Sequence, residues 1–155
     1  MGICLGSQLL AKAYGAKVTK APKQEIGWFK VQLTKDGQKD PIFQGLRDEL
    51  DVFHWHGDTF AIPQGGKHLA TSKDCMNQAL RVGPCAYGLQ FHIEVTGDII
   101  SEWVNENFKI FQGKRKQEAQ RMLDEYPKIK DKFNRQADII YGNFSKVMSA
   151  NKVAV

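Results

Sequence analysis

Apolar and polar residues alternate from Trp28 to Thr34: Phe29, Val31 and Leu33 stand against Lys30, Gln32 and Thr34. A period of two predicts a half-buried strand, and Lys35-Asp36-Gly37 reads as the turn that ends it. Shorter apolar runs predict strands at Lys17–Lys20, Asp51–His56, Leu69–Ser72, Asn77–Val82 and Tyr87–Ile93, with one helical turn over Pro41–Leu46. Gly57-Asp58 is expected to break the strand before it at a loop where a ligand can approach. The period changes to that of a helix at Leu5–Tyr14, which closes at Gly15, a favoured residue just past a helix end. From Gly97 the chain reads as helical throughout. Asp98 is expected to cap Ile99–Phe111, which buries Ile100, Trp103, Val104 and Phe108. A second helix, Lys114–Glu125, is expected to stop before Pro127, and that proline opens a third with Ile129, Phe133, Ile140 and Phe144 near one face. The stripe reads as core or docking surface, and Asn151–Val155 as frayed.

Composition bounds the answer without changing this picture. The chain has 155 residues, 42% of them hydrophobic, enough to bury a core, and nothing marks a disordered tract. No apolar run is long enough to span a bilayer, and the N-terminus lacks the layout of a signal peptide. Three cysteines, Cys4, Cys75 and Cys85, without metal-ligand spacing fit a reducing cytoplasm. The net charge of +5 is concentrated between Lys109 and Arg135, where nine basic residues face four acidic ones. Their mixed signs, without aromatic interleaving or a recognition motif, predict a solvated helical face and no nucleic-acid or membrane partner.

The chemistry begins at Gly2-Ile3-Cys4-Leu5-Gly6, followed directly by a helix. A residue on a sharp strand-to-helix turn projects its side chain into a site, and glycines two positions either side relieve the crowding. The helix N-terminus beside Cys4 supplies free N–H groups and partial positive charge, which favour thiolate over thiol. The run Gly88-Leu89-Gln90-Phe91-His92-Ile93-Glu94 carries His-x-Glu. On a strand, Glu94 and His92 share a face, so the carboxylate fixes the imidazole while its other nitrogen reaches Cys4. The Leu5 backbone N–H is one expected oxyanion donor. His54-x-His56 puts two imidazoles on one strand face; with no third ligand of suitable spacing following, no metal is expected.

Four motifs in order, GICLGSQLLA, EIGW, VFHWHGDTF and GLQFHIEVT, resemble the class I glutamine amidotransferases. The resemblance is strongest to stand-alone proteins related to the amidotransferase domain of guanosine monophosphate synthetase, and it covers roughly Met1 to Thr96. It implies a flavodoxin-like three-layer α/β fold, with the elbow at the end of a central strand. Cys4, His92 and Glu94 then act on the side-chain amide of L-glutamine through a thioester. Gln8, Trp55, Gly57 and Asp58 contact substrate, Asp58 through its ammonium group, and no cofactor is needed. Ammonia passes to an acceptor on a synthetase or a second subunit. The alternatives are a γ-glutamyl peptidase of the same superfamily and a truncated, non-catalytic binding or assembly domain. Ile93 stands where many members have proline, with little effect expected. Members carry further strands and a glycine loop before the elbow, so Met1 reads as an internal methionine and the chain as the C-terminal part of an amidotransferase. Residues 1–111 form its amidotransferase domain and 112–155 a helical extension.

Overall fold

The computed structural model describes residues 1–107 and 114–151. Its elements in chain order are β1 (Gly2–Ile3), α1 (Leu5–Ala13), β2 (Val18–Leu33), α2 (Lys35–Lys39) and a single 3-10 turn at Pro41–Phe43. There follow β3 (Glu49–Phe60), β4 (Lys67–Thr71), β5 (Ala79–Val82), β6 (Ala86–Leu89), α3 (Gly97–Glu106) and α4 (Lys114–Ala150). Six strands form one mixed sheet in the order β1-β6-β5-β4-β2-β3, parallel only between β1 and β6.

The pleat sorts side chains to the two faces. On β5, Leu80 and Val82 join Ala11 of α1 in one apolar cluster. On the opposite face Ala79, Tyr87 and Leu89 pack with Ala137, Ile140 and Val147 of α4. Helix, sheet and helix thus form three layers. Gly88 permits the close approach of α1: a Cβ there would lie 3.0 Å from the Cβ of Ser7. A third cluster joins Phe53 to Ile100 and Val104 of α3 and to Met122 and Phe133 of α4, with Trp28, Trp55 and Trp103 packed against it.

The expected pleat of Trp28–Thr34 is present, with Val31 and Leu33 buried and Lys30 and Gln32 exposed. Several boundaries differ from expectation. The strands expected at Lys17–Lys20 and Trp28–Thr34 are one continuous β2, because the register against β3 shifts between Lys20 and Glu25. Pro22, which has no N–H for a ladder, falls in that shift. Gly57-Asp58 does not end its strand; β3 continues to Phe60, with Asp58 opposite Lys20. Lys35-Asp36-Gly37 is the start of α2 rather than a turn, because the Thr34 hydroxyl accepts the Gly37 N–H and caps it. Thr96, and not Asp98, caps α3 by accepting from Ile99 N–H. The expected helix end at Phe111, with buried Phe108, lies outside the described residues, as do residues 152–155 of the expected frayed end.

Pro127 neither ends nor begins a helix; α4 runs through it. The proline removes one intrahelical bond, to the Leu123 carbonyl. Burial on both sides holds the helix regardless: Ala119 and Met122 before it, Phe133 and Ala137 after it. The Trp28 indole N–H also donates to the Met122 carbonyl at 3.1 Å, tying that turn to β2. Arg121, Lys128, Lys130, Lys132 and Arg135 are exposed among acidic neighbours, as a solvated face requires. Among the described residues no helix is long and apolar enough to cross a membrane.

The elbow strand β1 is two residues long, Gly2–Ile3. Among the described residues it pairs with β6 alone and lies at the edge of the six strands. Leu5 and Leu9 on the adjacent helix are 64% and 56% exposed, which leaves an apolar strip beside that edge.

Candidate active site around Cys4

Cys4 adopts φ 49° and ψ −105°, and is the one non-glycine residue with positive φ among those described. A side-chain-bearing residue in that region is strained, by about 1–3 kcal/mol, and is held there by its surroundings. The holding bonds are local: Cys4 N–H donates to the Leu89 carbonyl at 2.8 Å, and Ser7 N–H and the Ser7 hydroxyl donate to the Cys4 carbonyl at 3.0 and 2.6 Å. Of the two flanking glycines only Gly2 is required sterically. A Cβ on Gly2 would sit 2.5 Å from the Gly6 carbonyl, whereas a Cβ on Gly6 meets nothing within 4 Å. Leu5 opens α1, so its N–H is among those without an intrahelical acceptor.

His92 and Glu94 meet as expected, although not on a strand. β6 ends at Leu89, and the following residues leave β5 to bridge β3, where His92 N–H donates to the Phe53 carbonyl at 2.7 Å. The crossing brings His92 beside the elbow. Glu94 accepts from His92 Nδ1 at 2.5 Å and from Ile93 N–H at 2.9 Å. Burial opposes charging His92, but hydrogen bonding to Cys4 and Glu94, and their negative charge, raise its pKa to about 9. Burial likewise opposes ionisation of Glu94, and the His92 contact outweighs it, so Glu94 sits below its ordinary value. His92 Nε2 is buried and makes no hydrogen bond of regular geometry. Cys4 is thus close enough to act on the ring, yet loosely aligned, as catalytic pairs often are before substrate tightens them. Trp103 of α3 packs edge-on against His92 at 5.0 Å and against Trp55 at 5.6 Å.

The expected substrate contacts gather around this pair. Gln8, buried on the first turns of α1, donates to the Asp58 carbonyl at 3.4 Å and to Gln90 Oε1 at 3.2 Å. The Trp55 carbonyl accepts from the Cys4 thiol at 3.8 Å, while its ring stacks over Phe53. Asp58 presents a 42% exposed side chain paired with Lys20 at 2.9 Å. Gly57 and Asp58 sit on β3 rather than in a loop. A Cβ on Gly57 would make only ordinary contact with Gln24, so nothing there demands glycine. Two clefts of about 640 and 810 Å³ lie between β2 and α4 and contain neither Cys4 nor His92.

Two further polar groups went unnoticed in the sequence. Gln90, wholly buried, donates to the Cys4 sulfur at 3.7 Å. Its signal was a lone amide inside an otherwise apolar strand pattern. Glu25, 1% exposed, supplies the third ligand type that the His54-x-His56 motif lacked, from upstream rather than downstream. The β2–β3 register sets Glu25 directly opposite His56. Glu25 Oε2 lies 3.0 Å from His56 Nε2 and 3.4 Å from His54 Nδ1, and the two imidazole nitrogens are 3.2 Å apart. This triangle could hold a metal ion, since tetrahedral ligands at about 2.0–2.1 Å from zinc are similarly spaced. Within it His54 Nε2 is buried without a hydrogen-bond partner. His56 Nδ1 donates to the Asp58 carbonyl, which can only accept, and its Nε2 lies against both the Glu25 carboxylate and His54 Nδ1. Burial pushes His54 down to about 3, which keeps it neutral. Burial would raise Glu25, but the hydrogen bonds with His56 and the Ser72 hydroxyl hold it below its usual range.

The sequence model of the family Glutamine amidotransferase class-I matches residues 1–110. The chain belongs to that family. Among curated class-I amidotransferase relatives, the glutamine amidotransferase-like protein YfeJ of Salmonella typhimurium is 38% identical over 100 residues, covering 64% of this chain and 42% of that protein. One subunit of the glutamine-hydrolyzing GMP synthase of Sulfurisphaera tokodaii is 41% identical over 97 residues, covering 61% of this chain and 50% of the other. The crystal structure of a Thermotoga maritima glutamine amidotransferase superposes with a TM-score of 0.82 at 34% identity, over 92% of this chain and 60% of that one. The flavodoxin-like α/β architecture of the class-I amidotransferases is therefore the fold of this chain. The chain spans about half the length, or less, of these two curated relatives.

Proposed function

We propose that this chain hydrolyses the side-chain amide of L-glutamine. The observation that carries the reading is the strained Cys4 set beside a buried His92 whose far nitrogen is held by Glu94. The Cys4 thiolate attacks the amide carbon, and the protonated His92 gives its proton to the leaving nitrogen, so ammonia departs and a glutamyl thioester remains. Water, deprotonated by His92, then releases glutamate. Glu94 orients the ring and stabilises its charge. The Leu5 N–H is one donor for the tetrahedral oxyanion; absence of a donor from such a pair costs on the order of 10² to 10³ in rate. Gln8 contacts the glutamine, Trp55, Gly57 and Asp58 hold its amino-acid end, and the substrate ammonium replaces Lys20 at Asp58.

Curated relatives named as glutamine-hydrolyzing GMP synthases support an ammonia acceptor on a synthetase partner. Three free cysteines support a reducing, cytoplasmic setting. Residues 1–111 carry the amidotransferase unit, and 112–155 form its helical extension.

The test is the intact mass of the purified chain after exposure to a glutamine-like electrophile, with and without excess glutamine, using Cys4→Ala as control. One adduct at Cys4 that glutamine blocks is the expected result. Labelling spread over three cysteines and indifferent to glutamine refutes the reading.

A further inference from the structure

The buried amides next to Cys4 donate in one direction, from Gln8 to Asp58 and from Gln90 to the sulfur. The Asp58 carbonyl can only accept, so Gln8 must turn its NH2 toward it. The same NH2 lies 3.2 Å from Gln90, which therefore presents its oxygen to Gln8 and its own NH2 to the Cys4 sulfur. The orientation of Gln90 is thus dictated by a backbone carbonyl two residues removed in the chain of contacts. That carbonyl is itself fixed by the His56 Nδ1–H at 3.0 Å, and His56 by Glu25. The circuit closes: the Gln78 side chain donates to Glu25 at 2.6 Å, and the Gln78 carbonyl accepts the Gln90 backbone N–H at 2.8 Å. Gln90 and Gln78 are wholly buried and Glu25 is 1% exposed, and none of the three has another role in the amide hydrolysis described above.

The sulfur has two different partners according to its charge. A thiol donates to the Trp55 carbonyl at 3.8 Å; a thiolate cannot, and beside the His92 ring that faces it the sulfur has a second side-chain donor in the Gln90 amide at 3.7 Å. A hydrogen bond to an ionised acceptor is roughly twice as strong as a neutral one. We infer that Gln90 is a further catalytic residue, its amide N–H stabilising the Cys4 thiolate, and that Gln8, His56 and Glu25 are positioning residues that hold this amide in its donating orientation. The inference rests on Cys4 being the nucleophile.

The experiment is the pH dependence of Cys4 alkylation by iodoacetamide, followed by intact mass and peptide mapping in the 155-residue chain. Gln90→Met, which keeps the volume and removes the donor, is expected to move the midpoint up by about one pH unit, with the plateau rate at high pH unchanged. Gln90→Glu, which faces the sulfur with a negative acceptor, should move it further. Glu25→Gln should move it in the same direction by less. Cys75, 1% exposed, reports folding in every sample, since its alkylation marks an unfolded variant. If Gln90→Met unfolds, Gln8→Leu carries the same test, because Gln90 then loses the partner that orients it. A purely structural role for Gln90 lowers the melting temperature and leaves the midpoint where it was. An unchanged midpoint in folded Gln90 or Gln8 variants, with wild-type Cys4 still reacting below the range of an ordinary thiol, overturns the inference and spares the Cys4 assignment. Wild-type Cys4 that reacts as an ordinary thiol overturns both.

Discussion

Replacing Glu94 with glutamine removes a charge from the His92 contact while keeping a group of similar shape. In the folded chain His92 is raised from 6.5 to about 9 against the opposing effect of burial. That difference of about 2.5 units corresponds to about 3 kcal/mol favouring the charged ring. Cys4 and Glu94 share it, and the Glu94 side chain is 37% exposed, so solvent screening discounts its part to about one unit. Glu94→Gln should therefore bring His92 down to about 8, and Cys4→Ala should lower it by more. In the double variant only burial remains, so His92 should titrate below the ordinary histidine value. The assay is an NMR titration of the ring carbons, with His92 assigned by the signal lost in His92→Asn. Stability must follow with a definite sign. A folded pKa above the unfolded one gives a contribution complete below pH 6.5 and lost as the pH rises to about 9. Wild-type unfolding free energy should fall across that window by about 2 kcal/mol after the same discount, and the double variant should not show the fall. An unchanged His92 titration in Glu94→Gln would refute the account of the pair.

The elbow glycines should respond in opposite ways. Gly2→Ala drives a Cβ to 2.5 Å from the Gly6 carbonyl and should cost about 1–3 kcal/mol in thermal or chemical unfolding. Gly6→Ala enters open space in a helix and should stabilise by about 0.5–1 kcal/mol. Cys75→Ala and Cys85→Ala should retain glutamine turnover in a coupled glutamate assay, whereas Cys4→Ala should show none. Leu9→Glu, which breaks the apolar strip beside the open edge of β1, should reduce self-association of the 155-residue chain in analytical ultracentrifugation; an unchanged distribution would show that the strip does not drive contact. Thr96→Ala should loosen the start of α3 by about 1 kcal/mol, read as a lower unfolding midpoint.

What the sequence made legible was local. The alternation at Trp28–Thr34 and the spacing of Ile100 and Val104 depend on near neighbours, and both faces were read correctly. The elbow was legible for the same reason, since its strain and its glycine lie within five residues. Position in the sheet was not. That β1 stands at an edge, or that Glu25 faces His56, depends on register between distant segments, which no single segment encodes. Pro127 misled for a related reason: its local cost is real, but burial on both sides of it outweighs that cost. Glu94 reached His92 although the strand expected to align them had already ended, because the Ile93 N–H turns the carboxylate back.

The two residues of β1 have a bearing on how the protein reaches its native state. Their pairing with Gly88 and Leu89 places Cys4 next to a stretch that lies 86 positions away at Gln90. Closing so long a loop brings little reward until the hairpins between β2 and β6 are already in place. The surroundings of Cys4 are therefore expected to be the last region to assemble during refolding and the first to open under denaturant. A chain can then display most of its native spectroscopic signal before Cys4 meets Gln90, and formation of that contact marks the end of folding.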